Sequence, residues 1–206
     1  MMMASQQRAE HTRRRLLQAA ATEIAAFGYD GSSLQRICKA AGVTMGALTF
    51  HFPTKRDLAH AILADGSART REAVSRVAAP TRPEGSEPAL PRIVRITLTL
   101  GELLASEATV RASARLSRER TMGPEDWRDS WLPCVRRLID QARDGHEFAP
   151  GVSSDTVVTL TRHLVSGLEE SVLPDCSTAP VDALADVWDL VLAGLAGRHS
   201  TFSPGT

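Results

Sequence analysis

Apolar residues recur at three- and four-residue spacing along most of this chain, and no stretch alternates strictly between apolar and polar. That period belongs to the helix, so the pattern predicts an all-α protein. Leu16, Leu17, Ala20, Ile24 and Phe27 share one stripe, which predicts a helix from about Arg8 that Gly28 ends, with residues 1–7 disordered ahead of it. Two much shorter apolar sets follow between Ser32 and Phe52. Ser32 and Gln35 form an S-x-x-Q capping box for a helix with Leu34, Ile37 and Cys38 on one face. Ala40 and Ala41 admit a close neighbour, Gly42 suits the left-handed residue that ends a helix, and Val43 buries the turn. Thr44 caps the next helix, with Ala47, Leu48 and Phe50 expected inward and Met45, Gly46 and Thr49 outward. Helices this short do not stand alone. Joined by a tight turn they make a helix-turn-helix, whose second helix is sized for a DNA major groove.

Beyond Phe52-Pro53, Thr54 and Asp57 make a T-x-x-D box that starts a long helix, Lys55 to about Val77, with Leu58, Ile62 and Leu63 packing under the head. Residues 80–91 hold four prolines and a glycine and read as a loop. Ile93, Ile96, Leu100, Leu103 and Leu104 predict a helix over 92–105, and a short one follows near 109–120. Gly123-Pro124 is expected to open a longer helix lined by Trp127, Trp131, Val135, Leu138 and Ile139 and kinked at Pro133. Two last helices, about 155–173 and 181–196, carry broad apolar faces interrupted by Ser166, Gly167, Ala193 and Gly194. Faces that wide suit a four-helix dimer interface, the alternative being ordinary core within one chain.

Charge sharpens the picture. The formal net charge is zero, yet residues 1–60 carry eight Lys/Arg against four Asp/Glu, and the remainder sixteen against twenty. A basic head on an acidic body suits a protein that lays one end on a polyanion. Arg8, Arg13, Arg14 and Arg15 crowd the first helix's start, where positive charge opposes the helix dipole. Either they form a solvated basic face or they meet an external anion, and next to a helix-turn-helix DNA phosphate is the favoured partner.

Other chemistry is sparse. Cys38, Cys134 and Cys176 are odd in number, far apart and without a C-x-x-C pair, so neither zinc nor a disulfide framework is indicated. No nucleophile elbow, P-loop, dinucleotide fingerprint or H-E-x-x-H occurs, and the six histidines are scattered, His163 reading as surface or rim. No enzyme, cofactor or metal is expected. The start MMMASQQRAEHTRRR lacks an apolar run and no span of about 18 apolar residues exists, so a cytoplasmic protein that does not enter the membrane is expected.

The words GVTMGALTFHFPTKRDL, flanked by RAEHTRRRLLQAA, FGYDGSSL and KRDLAHAIL, resemble the DNA-reading segment of TetR-family transcriptional repressors, and in particular the γ-butyrolactone receptor branch of actinomycetes. The match is strong over about residues 8–65 and weak beyond. It implies a TetR-like fold of about nine helices: a three-helix helix-turn-helix head, residues 1–54, and a helical ligand-binding and dimerisation body, residues 55–206. The expected partners are a double-stranded DNA operator, a small hydrophobic butyrolactone-like ligand and a second copy of the chain. Expected DNA contacts are Arg8, Arg13, Ser33, Thr44, Met45, Gly46, Thr49, His51 and Lys55. Two of these depart from the family pattern, which usually has Lys at Met45 and Tyr at Thr49. Met45 cannot reach phosphate or a guanine edge, though it can touch a thymine methyl, and losing both contacts costs a few kcal/mol unless compensated.

For the ligand, Trp127 in E-D-W-R resembles the tryptophan that covers the butyrolactone pocket; Trp131, Leu100 and Ser166 are the other expected contacts. Trp127 as simple core and Ser166 bonding its own backbone are the competing readings. The resemblance implies a repressor released by ligand, with the long fourth helix carrying motion from pocket to head. The same head also fits a pseudo-receptor for antibiotics or pathway intermediates, an efflux-pump repressor, or a sensor that has lost DNA binding.

Overall fold

The computed structural model describes residues 2–80, 87–120, 122–171 and 180–195. Among them stand nine α-helices and no strand: α1 (Met2–Gly31), α2 (Leu34–Ala41), α3 (Met45–His51), α4 (Lys55–Ala78), α5 (Ala89–Ser106), α6 (Ala108–Arg118), α7 (Leu132–Asp144), α8 (Ser154–Ser171) and α9 (Pro180–Leu195), with a 3-10 turn at Trp127–Ser130. The expected helix ends at Leu173 and Ala196, residues 81–86 of the loop, and Cys176 lie outside the described residues. The helices group into two compact units, residues 1–73 with 103–131, and 74–102 with 132–206.

In the first unit α1 packs chiefly on α6 and then on α2. Leu16, Ala20 and Ile24 of α1, Ile37 of α2, Leu48 of α3, Leu58 and Ile62 of α4, and Val110 and Leu116 of α6 are fully buried. The helix starts at Met2, so residues 2–7 are helical and not the disordered lead the sequence suggested. Gly28 does break it, at φ 74° and ψ 179°, a conformation open essentially to glycine alone.

The cap of α2 differs from the S-x-x-Q reading. Ser33, not Ser32, is the N-cap, its Oγ accepting from Arg36 N, while Ser32 Oγ donates to Tyr29 O over 2.7 Å. The reciprocal acceptor comes from another helix: Glu23 Oε1 takes the Ser33 N–H at 3.1 Å and pairs with the Arg36 guanidinium. Gly42 at φ 62° closes α2 as expected, with Val43 N donating to Cys38 O. Thr54 and Asp57 form the reciprocal box, at 3.0 and 3.1 Å.

Two aromatic placements are corrected. Phe50, expected inward, is 80 % exposed. It lies two residues after buried Leu48, about 200° round the helix, and Phe52 supplies the buried anchor instead. Phe27, expected on the buried stripe, is 54 % exposed and is covered by the Arg36 guanidinium, 4.9 Å from its ring centroid.

The helix predicted from Gly123-Pro124 does not form there. Gly123 turns at φ 85°, Asp126 caps the 3-10 turn, and α7 begins only at Leu132. Pro133 therefore falls in the first turn of α7, where its missing N–H has no helical partner to lose, and no kink is needed.

The second unit buries Ile93, Ile96 and Leu100 of α5, Val135, Leu138 and Ile139 of α7, Val157 and Val165 of α8, and Trp188 of α9. The Trp188 indole N–H donates to Thr97 Oγ1 at 2.7 Å. Glu147 caps α5, accepting from Ala89 N and Leu90 N at 2.7 and 2.9 Å. On α9, Val187 and Leu190 are 38 % and 77 % exposed, one turn apart, and an added Cβ at Gly194 or Gly167 would meet no atom within 4 Å.

Candidate DNA interface and the tryptophan turn

The helix-turn-helix presents one open face. Thr44 caps α3, accepting from Ala47 N at 3.2 Å, and Leu48 anchors the helix beneath. Thr44, Met45, Gly46 and Thr49 are exposed, and Ser33 and His51 half-buried. The Thr49 hydroxyl donates to its own helix, at 3.2 Å from both Met45 O and Gly46 O. Among the basic residues, Arg8, Lys39 and Arg56 are exposed. Arg13 is half-buried with its guanidinium 5.3 Å from the Phe52 ring centroid, which ties α1 to the end of α3.

Lys55 is turned inward. Its Nζ donates to Ser32 O at 2.8 Å and lies 4.7 Å from the Tyr29 ring centroid. The lysine thus fastens α4 to the turn before α2, a role its surface-like sequence context does not announce. Cys38 is buried within α2, and burial pushes its thiol above the usual range, so it stays a neutral apolar filler.

A cleft of about 480 Å³ opens between α1, α4 and α6, lined among others by Arg13, Arg14, Arg15, Asp65 and Arg69. Burial alone would lower the Arg69 guanidinium, but hydrogen bonds and charge from Asp65 and Glu107, at 3.1 and 3.3 Å, raise it above its ordinary value. Walls this charged do not suit an apolar lactone.

The expected ligand residues divide between the two units. Trp127 and Trp131 stand in the first, fully buried, ring centroids 6.1 Å apart. Leu100, fully buried, and Ser166, half-buried, stand in the second. Thr161 of α8 is fully buried, its hydroxyl donating to Val157 O at 2.8 Å. Trp127 is bonded twice: its backbone N–H donates to Ser117 Oγ at 2.7 Å and its indole N–H to Thr70 Oγ1 at 2.9 Å. The Trp131 indole N–H is buried without an acceptor among the described residues.

From this turn α6 reaches the head. Ser113 Oγ bonds Ile62 O of α4 at 2.9 Å. Arg115 donates to Ala25 O and Ala26 O at the end of α1, each at 3.0 Å, and is held by Glu119 at 2.8 Å. Glu119 also accepts from Tyr29 N at 2.9 Å. The tryptophan turn and the α1 break are thus linked through one helix. Sequence reasoning missed Thr70, Ser117, Arg115 and Glu119 because such polar residues on exposed-looking turns gain their meaning only from partners distant in the chain.

The family profile of bacterial regulatory proteins, tetR family, matches residues 16–62, from the middle of α1 into the first turns of α4. The A-factor receptor protein of Streptomyces griseus is 28 % identical over 197 residues, covering 94 % of this chain and 67 % of that protein. Residues 16–62 therefore carry a TetR-family regulatory domain. Solved TetR-family structures extend the likeness over nearly the whole length. One is a γ-butyrolactone receptor (ArpA-like protein), 26 % identical with a TM-score of 0.73 over 91 % of this chain and 89 % of its own. Another is CprB from Streptomyces coelicolor in complex with its biological operator sequence, 28 % identical with a TM-score of 0.72 over 92 % and 90 %. The described residues are all-helical, as in these folds, and both curated and structural likenesses include butyrolactone receptors. Among its described residues no helix is long and apolar enough to cross a membrane, and no three His, Cys, Asp or Glu are grouped to hold a metal.

Proposed function

We propose that this chain is a TetR-family DNA-binding transcriptional repressor, released from a near-palindromic operator by a small apolar ligand of γ-butyrolactone or butenolide type, and that it controls secondary metabolism. The observation that carries the reading is the double hydrogen bonding of Trp127, to Thr70 of α4 and Ser117 of α6, in the same unit as the helix-turn-helix. A ligand that displaces this turn changes helices that hold the head, and it shifts the equilibrium only by its differential affinity for the two states.

In this reading residues 1–54 bind DNA and residues 55–206 receive ligand and dimerise, in the cytoplasm, with no catalytic step. Two copies joined through the apolar α8 and α9 faces would present their α3 helices about 34–36 Å apart, one turn of duplex. Val187 and Leu190, exposed beside an open Gly194, support that use of α9. DNA contacts are assigned to Arg8, Arg13, Ser33, Thr44, Met45, Gly46, Thr49 and His51. Lys55 is assigned to backbone contact only if it leaves Ser32 O. Ligand contact is assigned to Trp127 and Trp131, and, on the resemblance alone, to Leu100 and Ser166.

The test is retardation of duplexes from the gene's own promoter by purified protein, followed by titration with a butyrolactone, a butenolide and representative antibiotics. Release by a lactone supports the reading. Release by an antibiotic alone keeps the repressor and replaces the ligand class, and failure to bind any promoter duplex removes both.

A further inference from the structure

The open face of α3 carries no charge. At about 100° per residue, Met45, Thr49, Gly46 and Phe50 follow one another round about 140° of the helix, and buried Leu48 lies outside that arc, about 60° beyond Met45. Met45 is 40 % and Phe50 80 % exposed, both large apolar side chains offered to solvent. Exposed apolar surface of this kind marks a binding face more often than a structural one. Thr49 spends its proton on Met45 O and Gly46 O, so as a donor to a base it is already occupied. At Gly46 the nearest atom to an added Cβ is the Thr44 hydroxyl at 3.9 Å, so the backbone there lies bare.

A groove-reading helix without Arg, Lys, Asn or Gln on its outer arc has no bidentate partner for guanine or adenine. The one apolar feature in the major groove is the thymine C5-methyl. The nearby cations do not change this: Arg36 is held by Glu23 and Gly31 O, Arg13 lies on Phe52, and Lys55 bonds Ser32 O. Exposed Lys39 and Arg56 are positioned on other helices, suited to phosphate, which sets affinity and not sequence.

We infer that α3 reads thymine methyl groups, with Met45, the Thr49 methyl and Phe50 forming an apolar reading surface, so that each half-site is specified by thymines and not by a guanine contact. The inference rests on the DNA-binding reading above. It explains how the chain can depart from the Lys and Tyr pattern and still select a site. It also gives the exposed Phe50 a use.

The experiment is selection of duplexes from a random library by the full-length protein, then replacement of the selected thymines by deoxyuridine, which removes only the C5-methyl. Each contacted methyl removed should weaken binding about fourfold, the ordinary value of one buried methyl-sized group. Met45→Ala and Phe50→Ala, both at exposed positions, should keep the wild-type circular dichroism spectrum and melting temperature and bind thymine and deoxyuridine duplexes alike. Met45→Lys should move the selected base beneath it toward guanine. Recovery of a palindrome fixed by guanines, or equal binding of the deoxyuridine duplex by wild-type protein, overturns the thymine reading and leaves DNA binding standing. Recovery of no preferred duplex overturns both.

Discussion

Trp127 and Thr70 are both fully buried and joined by one hydrogen bond, indole N–H to Oγ1 at 2.9 Å, while Thr70 passes its own proton to Gly66 O at 2.8 Å. The tryptophan is therefore fixed to the backbone of α4 in two steps. Thr70→Val keeps the shape and leaves a buried indole N–H unpaired, which costs about 1–3 kcal/mol. Chemical denaturation should show that loss, with a shifted Trp emission maximum; unchanged stability would mean the bond contributes nothing.

Gly66 sets how closely α4 and α6 cross. A Cβ there would overlap Ser113 Oγ and stand 2.7 Å from Thr109 O. Gly66→Ala should therefore destabilise by about 1–3 kcal/mol through overpacking. In a Ser113→Ala background the cost should fall, since the nearest of three obstructing atoms is gone while Thr109 O and the Cβ of residue 113 remain. Equal costs in both backgrounds, measured as a double-mutant cycle, would place the crossing elsewhere.

Gly28 and Gly46 make a contrasting pair. Gly28 sits at φ 74° and ψ 179° with Glu119 and Arg115 against the site of a Cβ, so Gly28→Ala should cost about 1–3 kcal/mol. Gly46 is helical, exposed and open, so Gly46→Ala should gain about 0.5–1 kcal/mol in helix propensity. Thermal melts of the two variants should move in opposite directions.

Among the described side chains of α9, Leu190 is the most exposed large apolar one. If that face pairs two copies, Leu190→Asp places a charge in an apolar interface and should give monomers in sedimentation at concentrations where the parent protein is dimeric. A variant that remains dimeric would put the interface on another surface.

Much of this architecture is legible in the sequence because its signals are local. Gly42, the Thr54–Asp57 box and the Leu16–Ile24 stripe act within a turn or two, and each is seen where the residues place it. What escapes is set by partners far along the chain. Ser32 yields the cap to Ser33 because Tyr29 O takes its hydroxyl and Glu23 supplies the second acceptor. Phe50 reads as core by its chemistry, yet its angle from Leu48 turns it outward. Lys55 reads as a DNA contact, yet Ser32 O and Tyr29 receive it. The grouping of residues 103–131 with the head depends on α6 packing against α1, which no nearby residue announces.

The coupling of the tryptophan turn to the head is tested most directly by fluorescence anisotropy of a labelled operator duplex, titrated with a γ-butyrolactone, for the parent protein and Trp127→Ala. Operator release by the parent, with the variant bound to DNA but unresponsive to ligand, is the predicted result. A Trp127→Ala protein that lets go of the operator at the same lactone concentration as the parent would contradict it.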